Sequence, residues 1–177
     1  VIIPVYNAAA YIEKAVTSAL FHNEVKEVVA VNDGSTDDSL AILQKLQQSD
    51  DRIKIYHHEN NSNKGRSASR NLALQKATQP FIAFLDADDF LFQKAFSQIL
   101  DVLGEKHPDL LSFEFKKVYH TGLWDTNVPA WQTVFQGSGT DFMLKHNLHG
   151  CAWGYVFKKS VLDGLRFTSG IYHEDEE

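Results

Sequence analysis

The stretch FIAFLDADDFLF, running from Phe81 to Phe92, decides how the rest of the chain is read. Phe81 to Leu85 is an unbroken apolar run of strand length, set off by Gln79-Pro80, which stops whatever precedes it. A run of this kind, without polar alternation, predicts a strand covered on both faces, the usual state in α/β proteins. Asp86, Asp88 and Asp89 come straight off its end. At about 4 Å and an effective dielectric near 20, two carboxylates repel by roughly 4 kcal/mol, against about 1 in open water. A cleft that holds them together calls for a cation, or raises a pKa to shed a charge. Oxygen donors suit a hard ion such as Mg²⁺ or Mn²⁺. Local structure offers a competing account, in which Asp86 ends the strand and Asp89 caps a helix starting near Phe92. D-x-D alone does not choose between the two.

The chain has 177 residues, 44% hydrophobic and 12% aromatic, enough for one ordinary core. Lys and Arg number 17 against 23 Asp and Glu, a net charge of −6 with no basic block, which argues against broad nucleic-acid binding. The single cysteine, Cys151, forbids an internal disulfide and fits a reducing compartment. No apolar run approaches the roughly 18 residues of a membrane span. Nothing basic precedes the short apolar start, as a signal peptide would require. These features predict a cytoplasmic location. Val1 already lies inside a strand-like run and no initiating Met is present, so the sequence is expected to be a piece of something longer.

Val1 to Val5, VIIPV, predicts a first buried strand, with Pro4 near its end or on its rim because proline lacks an N–H. Tyr6-Asn7 turns the chain into a helix from about Ala9 to Phe21, whose Ile12, Ala15, Val16, Ala19 and Leu20 follow helical spacing. A second strand over Val25 to Val31 leads into Asn32-Asp33-Gly34-Ser35-Thr36-Asp37-Asp38. There Gly34 permits a tight turn, and Ser35 or Thr36 is expected to cap the next helix, with acids in its first turn. Leu40, Leu43 and Leu46 mark that helix's buried face. Asp33 is left unexplained by local structure, at the carboxyl end of a strand where open α/β sheets bind ligands. A third strand over Ile53 to His58 runs into the turn-forming loop Glu59 to Gly65, and a helix follows from Arg66 to Ala77. Arg66 and Arg70 share a helical face. Arg66 reads as solvated, whereas Arg70, among Ala68, Leu72 and Leu74, reads as a buried or cleft-facing guanidinium that needs an anion or carboxylate.

V-I-I-P-V-Y-N, V-N-D-G-S-T-D, N-K-G-R-S-A-S-R-N and F-L-D-A-D-D therefore occur in order after successive strand-like runs. Together they resemble the nucleotide-sugar-binding half of the family-2 glycosyltransferases, over about half of the chain. The resemblance implies a three-layer GT-A, Rossmann-like α/β fold, with a mainly parallel mixed sheet flanked by helices. It divides a single catalytic domain over 1–177 into a nucleotide-sugar-binding half, 1–92, and an acceptor-side half, 93–177, whose C-terminal part is expected to be missing. Pro4, Tyr6 and Asn7 would line the base pocket, and Asp33 would accept a hydrogen bond from the base, uracil in many members. Arg70 would serve the nucleotide end of the donor, Asp86 would hold the ribose, and Asp88 the divalent metal, Mn²⁺ or Mg²⁺, bridging the diphosphate. The family often has Asp-Asp where this chain has Asn32-Asp33, so the pocket loses one charge and the base identity stays open.

Further on, Ala95 to Leu103 predicts an amphipathic helix. Leu111, Phe113 and Phe115 alternate with polar residues, as in a strand with one wet face. The resemblance offers Trp124 and Trp131 as sugar-stacking residues, while composition alone makes them cover for a small core. The eight histidines show no recognisable metal spacing and read as surface or packing residues. Cys151 to Phe157 predicts another strand, and Lys158 to Leu162 resembles the basic turn before a short helix in relatives. The acidic end, Gly170 to Glu177, reads by composition as a solvated tail. The resemblance instead makes Asp175 of Glu174-Asp175 the catalytic base, with Glu174 and Glu176 as substitutes. The rest of that helix, and any lid or membrane-associating segment, would lie past Glu177.

The implied reaction is transfer of a sugar from a nucleoside-diphosphate sugar, UDP-linked in the first instance, to a hydroxyl of a saccharide or lipid-linked saccharide. It would invert the anomeric centre by in-line displacement. A phosphatase would need its nucleophilic Asp after an early strand, and a dinucleotide-binding dehydrogenase would need G-x-G-x-x-G; the chain has neither. The rival that stands is a non-catalytic nucleotide-sugar-binding or scaffolding domain of a larger polysaccharide synthase. Such a domain would keep Asp33 and Asp88 but need no base.

Overall fold

A computed structural model describes residues 1–113, 136–145 and 152–169. Among the described residues, six strands and five α-helices follow one another as β1 (Ile2–Val5), α1 (Ile12–Leu20), β2 (Val28–Asn32), α2 (Ser39–Ser49), β3 (Ile53–His57), α3 (Arg66–Lys76), β4 (Phe81–Ala83), α4 (Gln93–Lys106), β5 (Leu110–Ser112), α5 (Gly139–Lys145) and β6 (Tyr155–Lys158). β1 pairs in parallel with β2, and β2 with β3. β4 joins the other edge of β1 through a parallel bridge between Ile2 and Phe84, with the Leu85 N–H donating to the Ile2 carbonyl at 2.9 Å. β6 then pairs antiparallel with both β4 and β5. The spatial order is therefore 3-2-1-4-6-5, parallel except for β6.

The two faces of this sheet follow directly from the period of two along each strand. Ile3, Val5, Val28, Ala30, Ile53, Ala83 and Leu85 point to one face, where they pack with Ile12, Val16, Leu43, Phe96 and Ile99 of α1, α2 and α4. Ile2, Val29, Val31, Ile82 and Phe84 point to the other, against Ala73 and Leu74 of α3. Helices on both sides of a mainly parallel sheet give the expected three-layer α/β architecture. Pro4 is the penultimate residue of β1, opposite Val31. Its missing N–H falls on the side of β1 toward β4, as the Ile2 carbonyl does, so no β1–β2 hydrogen bond is lost.

Several local expectations are revised. α2 begins at Ser39, so neither Ser35 nor Thr36 caps it and its first turn holds no acid; the residue before it is Asp38, which makes no side-chain cap. The reason is long-range, since Ser35, Thr36 and Asp37 are engaged by the β1–α1 loop. Asp89 does not cap α4 either, whose N-terminal boundary is Phe92. The strand expected over Cys151 to Phe157 is a 3₁₀ turn at Ala152–Gly154 followed by β6. Lys159–Leu162 is itself a 3₁₀ turn. Phe115, Trp124, Trp131, Cys151 and Glu174 to Glu177, with Asp175 among them, lie outside the described residues.

Candidate active site

Strand order reverses between β1 and β4, and a doubly wound sheet opens a crevice there at the carboxyl ends of its strands. Four strands bring candidate residues to that rim: Tyr6 and Asn7 after β1, Asp33 after β2, His58 after β3, and Asp86, Asp88 and Asp89 after β4. Tyr6 is 53% exposed, an unusual state for an aromatic ring at a strand end. Asn7 adopts a left-handed backbone (φ 48°), which Asn tolerates better than most residues.

The first two loops are sewn together. Asn7 takes a hydrogen bond from the Thr36 N–H at 2.8 Å, and its own N–H donates to the Ser35 hydroxyl at 3.1 Å. The Ala8 N–H donates to Ser39 Oγ at 2.8 Å, and the Ala9 N–H to Asp37 Oδ2 at 2.9 Å. The Ser39 hydroxyl, with the amides of Ala9 and Ser39, holds the Asp37 carboxyl below the usual carboxylate range. These bonds tie the loop after β1 to the loop after β2.

Asp33 is buried, and two consecutive backbone amides of the β3–α3 loop converge on it. Lys64 N–H donates to Oδ1 at 2.6 Å and Gly65 N–H to Oδ2 at 2.9 Å. His58 stands behind, its Nε2 3.0 Å from Ser69 Oγ and 3.5 Å from Asp33 Oδ1. Asn32 closes the same loop, donating from Nδ2 to Asn61 Oδ1 at 3.1 Å. Gly34 lies so near this loop that a Cβ would fall 2.7 Å from the Asn61 carbonyl oxygen, and its φ of +72° already favours glycine. A carboxylate has about four lone-pair positions, so two amides leave Asp33 able to accept further bonds.

Arg70, on α3, is completely buried, and its Nη2 pairs with Asp86 Oδ1 at 3.2 Å. The cation read from sequence as needing an anion or a carboxylate thus meets a carboxylate, the first acid of the D-x-D stretch. Arg66 is exposed. Asp86, Asp88 and Asp89 each offer an oxygen within 4.8 Å of the others. Desolvation, followed by the nearby charges of Asp88 and Asp86, pushes Asp89 up to about 6. Three hard oxygen donors around an excess of negative charge fit a divalent cation of the Mg²⁺ or Mn²⁺ kind. Charge thus accumulates at the end of β4, whereas at the end of β2 the backbone meets it.

Sequence reasoning missed the amides of Lys64 and Gly65, which follow from the backbone of the loop and carry no residue signature. It also missed His58, Asn71 and Phe167, whose contacts join distant parts of the chain. Asn71 sat in plain view inside N-K-G-R-S-A-S-R-N, but nothing in its spacing says what its amide binds.

Comparison with known proteins agrees with this architecture. The sequence model of glycosyl transferase family 2 matches residues 1–166. Glycosyltransferase GlyA of Streptococcus pneumoniae is 30% identical over 99% of this chain and 26% of its own length. A GalNAc(5)-diNAcBac-PP-undecaprenol beta-1,3-glucosyltransferase of Campylobacter jejuni is 29% identical over 97% of this chain and 55% of its own. The crystal structure of S. aureus TarS 1-349 in complex with UDP-GlcNAc superposes with a TM-score of 0.75 at 25% identity, over 99% of this chain and 50% of that one. The mannosyltransferase PcManGT of Pyrobaculum calidifontis, solved with GDP-Man and Mn²⁺, shares the fold at 17% identity, with a TM-score of 0.69 over 99% of this chain and 48% of that one. The chain thus spans about half or less of the length of these proteins. No helix among the described residues is long and apolar enough to cross a membrane. With the sheet order, the crevice and the match over residues 1–166 in agreement, the chain belongs to glycosyl transferase family 2.

Proposed function

We propose that this chain is the catalytic domain of an inverting glycosyltransferase that moves a sugar from a nucleoside-diphosphate sugar, UDP-linked in the first instance, to an acceptor hydroxyl. The observation that carries this reading is the grouping of Asp33, the Arg70–Asp86 pair and Asp88 with Asp89 at the carboxyl ends of β2 and β4, in a chain of this family. The UDP-GlcNAc and GDP-Man held by the two structural neighbours support a nucleotide-sugar donor. The Mn²⁺ of the second supports a divalent ion.

In this reading Pro4, Tyr6 and Asn7 line the base pocket, and Asp33, oriented by the Lys64 and Gly65 amides, accepts a hydrogen bond from the base. Asp86 holds the ribose, and Arg70 serves the nucleotide end from behind it. Asp88, with Asp89 beside it, holds Mn²⁺ or Mg²⁺. When bound, that ion offsets the charge developing on the diphosphate leaving group. Asp175 takes the proton from the acceptor hydroxyl as its oxygen bonds to the anomeric carbon. The bond from that carbon to the diphosphate oxygen breaks with its electron pair leaving on the phosphate, so the centre inverts without a covalent enzyme intermediate. The acceptor is a saccharide or lipid-linked saccharide. The enzyme works in the cytoplasm, at the inner face of the membrane.

The test is a panel of nucleoside-diphosphate sugars offered to the full chain with Mn²⁺, following nucleotide binding and nucleotide release. Metal-dependent binding with release of free nucleoside diphosphate supports the enzyme. Binding without release from any donor, with or without saccharide acceptors, would support the scaffolding domain instead.

A further inference from the structure

Phe167 reaches the candidate site from far along the chain, and one side chain holds it there. Asn71, on α3, donates from Nδ2 to the Phe167 carbonyl at 2.8 Å and accepts the Phe167 N–H on Oδ1 at 2.9 Å. Both backbone groups of a single residue are thereby held by one amide, as a neighbouring strand would hold them. That fixes where the ring lies. Its centroid is 5.5 Å from that of Phe84, edge to face at 88°, and 5.4 Å from the guanidinium carbon of Arg70. Phe84 lies two residues before Asp86, and Arg70 is the cation paired with Asp86. Asn71, Phe167, Arg70 and Asp86 therefore touch in series, ending on a carboxylate of the crevice.

Phe167 packs at the edge of the apolar cluster that holds Phe84, yet both it and Asn71 are only partly buried, and its ring also lies against the charged Arg70. An aromatic face attracts a guanidinium, most strongly where water is excluded, and so restricts its orientation. We propose that Asn71 and Phe167 are positioning residues for donor binding: Asn71 seats Phe167, whose ring fixes the Arg70 guanidinium that orients Asp86. This rests on the nucleotide-sugar reading given above.

The experiment is a double-mutant cycle on UDP binding with Mn²⁺, measured by calorimetry on the full chain, with thermal denaturation alongside. Phe167→Leu keeps the apolar bulk and removes the aromatic face; Asn71→Ala removes the clamp. Each is expected to weaken UDP binding about tenfold in the parent background but less than twofold when Asp86→Ala is already present, because the path to the ligand is then cut. Phe167→Tyr, which restores the face, should bind UDP as the parent does. Equal losses in both backgrounds, or no loss in the parent, would overturn the proposal, even where melting temperature falls. Should Phe167→Leu fail to fold, Asn71→Ala carries the same comparison. A parent chain that binds no nucleoside diphosphate at all removes the donor reading itself, and this proposal with it.

Discussion

The ends of β2 and β4 present carboxylates to the same rim of one sheet, and the chain meets their charge in two different ways. At β2 the single carboxylate of Asp33 is buried and receives two backbone amides, so its position is set by the protein alone. At β4 three carboxylates crowd together, Arg70 reaches one of them, and desolvation, added to by the charges of Asp88 and Asp86, pushes Asp89 up to about 6. A group whose partners are built in can fix a shape before any ligand arrives. A group left short of positive charge is poised for something that brings it. The difference teaches that one rim of a sheet can hold one carboxylate with built-in partners and leave others short of positive charge. In the proposed reaction both regions serve the donor.

A change on the acceptor side should therefore leave both regions working, and it carries the largest expected effect. Asp175→Asn keeps shape but cannot take a proton, and positioned general bases contribute typically about 10²–10⁴-fold. Transfer by the full chain should fall by that factor, while UDP and Mn²⁺ bind as in the parent. Normal transfer by the variant would remove Asp175 and turn attention to Glu174 and Glu176.

The next change breaks the β4 side alone. Asp88→Asn should weaken metal-dependent diphosphate binding by more than roughly tenfold, since even an outer-shell partner of a metal ligand is worth about 10–100-fold. Binding measured without metal should hardly move, and the fold should be intact by circular dichroism. Unchanged calorimetry in the presence of Mn²⁺ would sink the assignment.

On the β2 side the comparison can be sharpened, because Asp33 has two separable jobs. Asp33→Ala should cost about 1.5–3 kcal/mol of nucleotide affinity, the range for hydrogen bonds to charged groups. It should also release the Lys64 and Gly65 amides, seen as faster hydrogen exchange at those two positions. Losses that differ between UDP and other diphosphates would mark a contact with the base. Equal losses for all, with the same faster exchange, would leave only the latch.

How much of this was legible in advance depended on the range of the contacts involved. Apolar runs named β1, β2 and β4, because a strand buried on both faces must be apolar throughout, and the motifs of Asn7, Asp33 and Asp86 fell at their carboxyl ends. Arg70 could be read as buried or cleft-facing because Ala68, Leu72 and Leu74 surround it on its helix, and such a cation needs an anion or a carboxylate. The expected cap at Ser35 or Thr36 failed for an instructive reason. Their hydroxyl and amide groups, the usual means of starting a helix locally, go to Asn7 on another loop instead. Bonds between residues far apart in sequence have no period to betray them. For the same reason Phe167, a lone aromatic near the end of a polar segment, gave no sign of its seat on Asn71.

The smallest expected effect concerns Asp89 and the charge left at β4. Its folded pKa, about 6, lies above the usual carboxylate value of 3.8. Between those two values the folded chain therefore binds more protons than the unfolded one. Stability should then fall as pH rises from about 4 to 6, by linkage, and stay level above. The residue is exposed, so water screens the interaction and the slope should be shallow. Asp89→Asn removes the titration: without divalent ions the variant should melt slightly above the parent at pH 7 and not at pH 4. Mn²⁺ should reverse the order at pH 7, because the parent then gains a ligand that the variant lacks. A melting difference independent of pH, or unaffected by Mn²⁺, would show that Asp89 shares neither the crowding of Asp86 and Asp88 nor the ion proposed to relieve it.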